Sequence, residues 1–257
     1  MTHFETIQGH LGTGGSISPP RRIGTLVLAS DGSIEADTYS MLPHGCVAHF
    51  SRMENYETCA ARGTDHRSDL ARSTRLLASC KDISAVIYGC TSGEVLHGRD
   101  FIEDAIRDTL SGAFVVTPLA AVVEALEMCS AQTISILSPY GDSLNRKLVE
   151  LFENNGIAVE QVASPNEWRA RDLSAIDILD LTTAASAMEF SRSGALFIPC
   201  NALSVVNVID GIEASIDMTV LTSTQASVWK ALQLLDQLGA QSLAKFGSIF
   251  STVETPN

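Results

Sequence analysis

The chain has 257 residues, of which 45% are hydrophobic and 18% are charged, so it can bury a full core. Its formal net charge of −13 argues against nucleic acid or an anionic membrane as a partner, because both attract clustered Lys and Arg. With neither a long apolar run nor a secretory signal pattern, we expect a cytoplasmic protein.

The first 21 residues are rich in Gly, Ser and Thr and are expected to form a flexible leader. From residue 22 onward, short β-branched apolar runs alternate with amphipathic stretches, as in parallel sheets covered on both faces. The predicted strands are Ile23–Ala29, Cys46–Ser51, Ala85–Tyr88, Ala113–Thr117, Thr133–Leu137, Ala158–Val162, Ile176–Asp180 and Ala195–Ile198. The predicted helices include Asp65–Ser79, Phe101–Leu110, Leu119–Cys129 and Ser143–Asn155. This alternation predicts an α/β fold.

The order of these elements repeats along the chain. A strand followed by small polar residues occurs near Ser30 and again near Ser138, and each leads on to a strand that ends in a cysteine, Cys90 or Cys200. The repeat predicts two pseudo-symmetric lobes, each a mainly parallel sheet flanked by helices, with the active site in the cleft between them. We assign residues 22–120 and 226–257 to the first lobe and 121–225 to the second. A single doubly wound sheet, which also has a repetitive pattern, is the alternative.

The run from Ala85 to Gly93 (AVIYGCTSG) carries the strongest local signal for chemistry. Glycines on both sides of Cys90 allow a sharp turn and close approach of a ligand. The hydroxyls of Thr91 and Ser92 and the N–H groups of the turn are suited to hold a carboxylate. The same N–H groups are expected to favour the Cys90 thiolate.

Cys200 follows a predicted strand and Pro199, and Asn201 is expected to be the N-cap of a helix that reaches Val208. By itself Cys200 is typical of a buried structural thiol, and its importance depends on pairing with Cys90. The chain has six cysteines but no CxxC pair, and its histidines lack the spacing of metal ligands. We therefore expect no metal and no cofactor, and we interpret the other four cysteines as packing residues.

Several short motifs occur in an order that resembles the maleate isomerase and arylmalonate decarboxylase branch of the aspartate/glutamate racemase superfamily, which includes the ectoine-utilisation racemase-like proteins. The motifs are RIG from Arg22, MLP from Met41, YGCTSG from Tyr88, SPY from Ser138, PC at Pro199, VID from Val208 and TSTQA from Thr222. The similarity extends from Arg22 to about Gly239.

The resemblance implies cofactor-free chemistry at a pair of cysteines. Racemases of the superfamily use one cysteine to deprotonate Cα and the other to reprotonate the opposite face. Maleate isomerases use the first cysteine as a nucleophile that adds to the double bond. Arylmalonate decarboxylases keep only the second cysteine, as a proton donor. Because this chain has cysteine at both positions, it is more similar to the racemases and isomerases.

The resemblance also implies substrate-binding residues. Tyr140 matches a tyrosine that contacts a substrate carboxylate, and Asn166 is the candidate for a further asparagine of the maleate isomerases. Asn201 stands where the relatives have threonine. Asp31 stands where they have asparagine. An ionised aspartate only accepts hydrogen bonds, so Asp31 suits an amine or a hydroxyl better than a second carboxylate; alternatively, it caps the following helix.

The sequence therefore predicts an isomerase, either a cis-trans isomerase or a racemase, that acts on a small carboxylate or dicarboxylate through Cys90 and Cys200. The predicted substrate-binding residues are Asp31, Thr91, Ser92, Tyr140, Asn166 and Asn201. Two alternatives stay open: an arylmalonate-type decarboxylase that uses Cys200 as proton donor, and a non-catalytic protein that binds a carboxylate. The expected partner is the small carboxylate substrate, and a homo-oligomer is left open.

Overall fold

A computed structural model describes residues 20–165, 168, 173, 176–240 and 243–251. Most of the predicted leader, residues 1–19, lies outside the described residues, and the first strand begins at Arg21. None of the helices that the structure describes is long and apolar enough to cross a membrane.

The described residues form two parallel four-stranded sheets with the same strand order, and this confirms the predicted α/β fold with two similar lobes. In the first sheet the order is β2-β1-β3-β4, with β1 at Arg21–Leu28, β2 at Cys46–Met53, β3 at Ile83–Gly89 and β4 at Phe114–Val116. In the second it is β6-β5-β7-β8, with β5 at Thr133–Leu137, β6 at Ala158–Ala163, β7 at Ala195–Ile198 and β8 at Thr219–Thr222. Equivalent strands therefore end at equivalent places in the two sheets.

The helices lie between and around these sheets. Their bounds are α1 Ile34–Met41, α2 Tyr56–Ala61, α3 His66–Ala78, α4 Thr91–His97, α5 Arg99–Arg107, α6 Pro118–Met128, α7 Asp142–Asn154, α8 Ile178–Ser186, α9 Ile209–Ile216 and α10 Ser223–Leu234. Short 3₁₀ helices follow at Leu238–Ala240, Ala244–Phe246 and Ser248–Phe250. The lobe boundaries proposed from the sequence fall within α6 and α10, and these two helices pack against each other.

Burial follows the parallel-sheet pattern, since the central strands have no solvent-facing side. Ile23 and Ile87 belong to a core that continues into the second lobe, whereas Leu26, Val86 and Tyr88 face a separate cluster on the other side of the first sheet. The sheets are thus covered on both faces, as the uninterrupted apolar runs predict. Because of this alternation, Tyr88 and Cys90 are buried on the same side.

Two predicted elements are wrong. Ile176–Asp180 is not a strand: the Asp177 side chain accepts the Leu179 N–H, which starts α8 at Ile178, and the fourth strand of the second sheet is Thr219–Thr222. A short apolar run does not by itself distinguish a strand from the first turn of a helix.

The helix predicted to begin at Asn201 is also absent from the described residues. Residues 201–208 form turns, and α9 begins at Ile209. The Val208 N–H bonds to the Val205 carbonyl, the spacing of a turn, and the Asn201 side chain is directed to other partners. Asn201 is therefore not an N-cap.

Candidate active site

Cys90 and Cys200 occupy equivalent positions in the two lobes. Cys90 directly follows β3 and Cys200 follows β7 after Pro199, and these strands neighbour β1 and β5 in the same order. The residues that follow them, Thr91 and Asn201, lie 3.0 Å apart between Thr91 Oγ1 and Asn201 Oδ1, so the two strand ends meet. The structure thus brings together two residues that are far apart in the sequence, at the carboxyl ends of parallel strands.

Cys90 is the N-cap residue of α4. Its sulfur accepts the Gly93 N–H at 3.3 Å, lies 3.5 Å from the Ser92 hydroxyl oxygen, and accepts a hydrogen bond from the Tyr88 hydroxyl. These donors lower the pKa of Cys90, but its burial is the larger effect and raises the pKa above the ordinary thiol value. The N–H group of Gly93 thus favours the thiolate, as the sequence predicts, but desolvation outweighs the hydrogen bonds and makes the thiol harder to ionise than the turn alone suggests.

Cys200 has a strained backbone and a strongly perturbed thiol. Its φ angle of 93° lies in the left-handed region, which side chains with a Cβ rarely adopt, and its N–H donates to the Ser223 hydroxyl oxygen at 3.2 Å. Burial raises the pKa of Cys200 to about 12, although the Ala202 N–H and the Tyr140 hydroxyl oppose this rise. At neutral pH Cys200 is a protonated thiol.

Tyr140 lies between the two cysteines. Its hydroxyl bonds to Cys200 and to Thr91, and burial, together with the charges of both cysteines, raises the pKa of Tyr140 well above the ordinary tyrosine value. The Tyr140 carbonyl accepts from Asn145 at 3.0 Å and from Ser164 at 2.9 Å, which fixes the backbone of the turn. The phenol is therefore a neutral, positioned donor next to both sulfurs.

Thr91 and Asn201 connect the two lobes. The Thr91 hydroxyl oxygen lies 3.0 Å from Asn201 Oδ1 and 2.7 Å from the Ser223 hydroxyl oxygen, and Asn201 Nδ2 donates to Thr224 at 3.2 Å. Ser223 and Thr224 belong to the TSTQA motif, to which sequence reasoning gave no role. Their contribution depends on α10 reaching the cleft, which the motif alone does not indicate.

The structure shows one of the two roles that the sequence left open for Asp31, and contact with a substrate stays a prediction. Asp31 Oδ1 accepts the N–H groups of Ser33 at 2.8 Å and Ile34 at 3.0 Å and so starts α1. Asp31 is buried, and its charge is among the groups that raise the pKa values of Cys90 and Cys200. It is thus a helix-capping residue and an acidic neighbour of the cysteines.

A cavity of about 180 Å³ opens beside Cys90. Its lining consists of Leu28, Asn55, Tyr56, His66, Tyr88, Cys90, Ser92, Gly93, Leu96, Tyr140 and Leu144. Pockets that bind drug-sized ligands have volumes of roughly 300–1,000 Å³, so this cavity suits a smaller molecule. Three of the predicted site residues, Cys90, Ser92 and Tyr140, line it.

Sequence reasoning missed Tyr88 and His66. The Tyr88 hydroxyl lies 3.4 Å from His66 Nε2 and also donates to Cys90. The signal for Tyr88 was its place two residues before Cys90, which puts both on one side of the strand. His66 begins α3 in a polar segment that the sequence suggests is a solvated helix start, yet it is buried.

The remaining predictions concern Asn166 and metal binding. Asn166 lies outside the described residues. Among the described residues, no group of three or more His, Cys, Asp or Glu side chains is placed to hold a metal ion. Within the same part of the chain, the groups that donate hydrogen bonds to Cys90, Cys200 and Asp31 are hydroxyls and backbone N–H groups.

Comparison with known proteins identifies related chains. A family model described as arylmalonate decarboxylase matches residues 23–246. The maleate isomerase of Nocardia farcinica is 25% identical over 236 residues, which cover 84% of this chain and 90% of the relative.

Two solved structures show the same fold. Nocardia farcinica maleate cis-trans isomerase, as a cysteine-to-serine variant with a covalently bound succinylcysteine intermediate, has a TM-score of 0.77 at 20% identity and covers 91% of this chain and 99% of that one. Arylmalonate decarboxylase has a TM-score of 0.73 at 19% identity, over 90% of this chain and 100% of that one. At these identities the similarity concerns the fold.

Proposed function

The chain belongs to the arylmalonate decarboxylase family, and from this premise we propose that it is a cofactor-independent isomerase or racemase that acts on a small carboxylic acid through Cys90 and Cys200. The observation that carries the proposal is the position of the two cysteines at equivalent strand ends of the two lobes, Cys90 buried and Cys200 partly buried, with the Tyr140 hydroxyl beside both. Proton transfer at opposite faces of a planar centre needs two acid/base groups, and two cysteines can serve as such a pair.

Two reaction schemes fit this pair. In racemisation, the thiolate removes the proton from Cα to leave a planar enolate, and the other thiol returns a proton to the opposite face. In cis-trans isomerisation, the Cys90 thiolate forms a C–S bond to one carbon of the double bond while the Cys200 thiol protonates the other carbon. Rotation about the resulting single bond follows, and return of the same proton to Cys200 as the C–S bond breaks restores the double bond. The structure determined for the Nocardia farcinica isomerase contains a succinylcysteine intermediate, which supports the second scheme by similarity.

The two thiols have unequal roles in either scheme. The pKa of Cys200, raised to about 12 by burial, makes this thiol the proton donor at neutral pH. Cys90 is stabilised as a thiolate by donors from Gly93, Ser92 and Tyr88, although its pKa is also raised by burial. We therefore assign Cys90 as the nucleophile or base and Cys200 as the acid.

The substrate is best described as a small acid with one carboxylate and a hydroxyl or amine. The cavity is small, and the donors present in this part of the site are hydroxyls and N–H groups, among them Ser92 and Tyr140. The Asp31 carboxylate adds negative charge near both sulfurs, which disfavours a second carboxylate and favours a donor group on the substrate.

A decarboxylase is the second candidate. The protonated thiol of Cys200 is suited to deliver a proton to an enolate formed by loss of CO₂, and the family model that matches the chain is named for this reaction. In this scheme Cys90 has no chemical step, so the hydrogen bonds that its sulfur accepts from Gly93 and Tyr88 would be unnecessary.

The proposal is tested by incubating the protein with candidate acids in D₂O and following the Cα or vinyl protons by NMR. We expect the activity to be lost in Cys90→Ser and Cys200→Ser, because each removes one of the two groups that must act. The partly buried Cys129 at the end of α6 provides the matched control, and Cys129→Ser should turn over normally.

The outcomes separate the schemes. Exchange of the Cα proton supports racemisation, whereas cis-trans isomerisation without deuterium uptake supports addition of Cys90. Loss of CO₂ that survives Cys90→Ser would contradict the isomerase and support the decarboxylase. Tight binding of an acid without any turnover would identify a carboxylate-binding protein.

A further inference from the structure

Three groups form a continuous chain along the cavity. The Tyr88 hydroxyl is hydrogen-bonded to the Cys90 sulfur, and the same hydroxyl lies 3.4 Å from Nε2 of His66. The Cys90 thiolate accepts the Tyr88 proton, whereas the thiol donates to the Tyr88 oxygen and leaves the Tyr88 proton for His66. All three residues line the cavity, and all three are buried. The sulfur is therefore connected to an imidazole through one hydroxyl group.

Gly93 leaves the space that this connection needs. A Cβ at position 93 would lie 2.1 Å from the Tyr88 hydroxyl oxygen and 3.2 Å from the Cys90 sulfur. The first distance is far below any normal contact, so a side chain here would displace the hydroxyl. Gly93, the second glycine of the YGCTSG motif, is therefore needed to leave space for the Tyr88 hydroxyl as well as for the turn.

His66 is the basic group at the end of this chain of contacts. Its ring stacks on His97 at 4.7 Å between ring centroids, and its Nδ1 is buried without a hydrogen-bond partner in the described part of the chain. The groups around it are Asp65 and Asp69 of its own helical segment, His97 of α4 and Tyr88 of β3.

Burial, followed by the effect of His97, lowers the pKa of His66, whereas Asp65 and Asp69 raise it by less. The Tyr56 ring packs against His97 from α2, and Phe101 of α5 stacks on the same cluster. His66 is therefore a neutral imidazole at neutral pH, and Nε2 is free to accept the Tyr88 proton in the tautomer protonated on Nδ1.

We propose that Tyr88 and His66 form a proton relay that generates the Cys90 thiolate. The S–H proton of Cys90 passes to the Tyr88 oxygen as the Tyr88 proton moves to Nε2 of His66. The products are a thiolate, a neutral tyrosine and an imidazolium, and the reverse transfer restores the thiol. The relay rests on the proposed function of Cys90, and it gives a buried thiol without a direct base a route to ionisation.

The two residues are positioning residues, because they act on the substrate only through Cys90. The thiolate–imidazolium pair carries the same number of protons as the neutral pair of thiol and imidazole. Its population therefore does not change with pH between the pKa of His66 and the pKa of Cys90. Below the pKa of His66, the imidazole is already protonated and the relay stops. This gives a pH profile that a merely structural histidine would not produce.

The test measures alkylation of Cys90 by iodoacetamide, read for each cysteine by peptide mass spectrometry, from about pH 5 to about pH 9. In the wild-type protein, the rate at Cys90 should level off on the acid side of neutrality. In His66→Gln and Tyr88→Phe it should keep falling about tenfold per pH unit, because only the free thiolate then reacts. His97→Gln, which removes the stacked neighbour but not the connection, should keep the plateau.

A plateau that persists in both His66→Gln and Tyr88→Phe, or a wild-type profile without one, would overturn the relay. Circular dichroism identifies a variant that fails to fold, in which case the other variant decides. Because the labelling needs no substrate, it is independent of turnover: absence of reaction with any acid would contradict the proposed function and leave the relay supported.

Discussion

The backbone at Cys200 illustrates how a single residue can be constrained by its role. A cysteine with φ of 93° is strained by its Cβ, and such conformations cost about 1–3 kcal/mol and concentrate at functional sites. The strain directs the residue so that its N–H donates to Ser223 while the sulfur interacts with Tyr140. The position is therefore adapted to hold the thiol, at a cost to stability.

We predict that Cys200→Gly has a free energy of unfolding about 1 kcal/mol above that of Cys200→Ala, because only glycine relieves the left-handed conformation. Both variants lack the thiol, so their difference reports the relief of strain, reduced by the greater conformational entropy that glycine loses on folding. Urea unfolding followed by circular dichroism provides the measurement. Equal stability of the two variants would contradict a strained backbone at this position.

At the scale of elements, α6 is started by a residue of another helix. Thr117, the N-cap residue of α6, makes no capping hydrogen bond with its side chain. Instead Glu94 of α4 accepts the Thr117 hydroxyl at 2.6 Å and the Leu119 N–H at 2.7 Å. Burial raises the pKa of Glu94 to about 7, so the carboxyl is partly protonated at neutral pH. The helix that carries Cys90 at its N-terminus is thus fixed to α6.

We predict that Glu94→Ala lowers the free energy of unfolding by about 1–3 kcal/mol, because buried N–H groups at the start of α6 lose their acceptor. Glu94→Gln should stay within about 1 kcal/mol of the wild-type protein, since its amide can accept the N–H groups and donate to Thr117. Denaturant unfolding at neutral pH measures both. If Glu94→Ala were as stable as Glu94→Gln, the capping role would be refuted.

At the scale of the molecule, α1 of the first lobe is connected to the turn after Cys200. The Ser204 hydroxyl donates to Asp37 Oδ1 at 2.9 Å, and the Ser33 hydroxyl donates to the Ala202 carbonyl at 3.0 Å. Burial raises the pKa of Asp37 from 3.8 to about 6, and Asp37 Oδ2 has no partner in the described part of the chain. The contact between α1 and the turn after Cys200 therefore includes a carboxyl group whose burial favours the protonated, neutral form.

The sign of the resulting pH dependence follows from linkage. The folded protein binds the Asp37 proton more tightly than the unfolded chain does, so the contribution to stability decreases as the pH rises from about 3.8 to about 6. At 1.36 kcal/mol per pKa unit, the loss amounts to roughly 3 kcal/mol above this window.

We predict that Asp37→Asn is more stable than the wild-type protein at neutral pH and similar to it near the acid end of that window. Asparagine stays neutral and still offers an oxygen to Ser204. The matched control is Asp104→Asn, on the exposed face of α5. Thermal unfolding across the pH range measures the difference, and a gain that did not depend on pH would contradict the assignment to Asp37.

The sequence predicts Cys90 and Cys200 as the reactive pair, the second only through the repeat and the family resemblance. By itself it determined the α/β class and the approximate position of seven of the eight strands that the structure describes. These features are local, because uninterrupted apolar runs identify buried parallel strands and the glycines around Cys90 identify a turn. The motifs identified the family for the same reason, since they are short stretches of neighbouring residues. The sequence did not predict the strand at Thr219–Thr222, because this strand leads directly into the start of α10 at Ser223.

Only the tertiary structure decided which partners these residues have and how easily the thiols ionise. Thr91 and Asn201 bond to each other across the cleft, and Tyr88 connects Cys90 to His66 of another helix. The thiol of Cys90 is harder to ionise than its turn suggests. The physical reason is that desolvation and contacts between distant segments depend on packing, which a linear pattern does not contain.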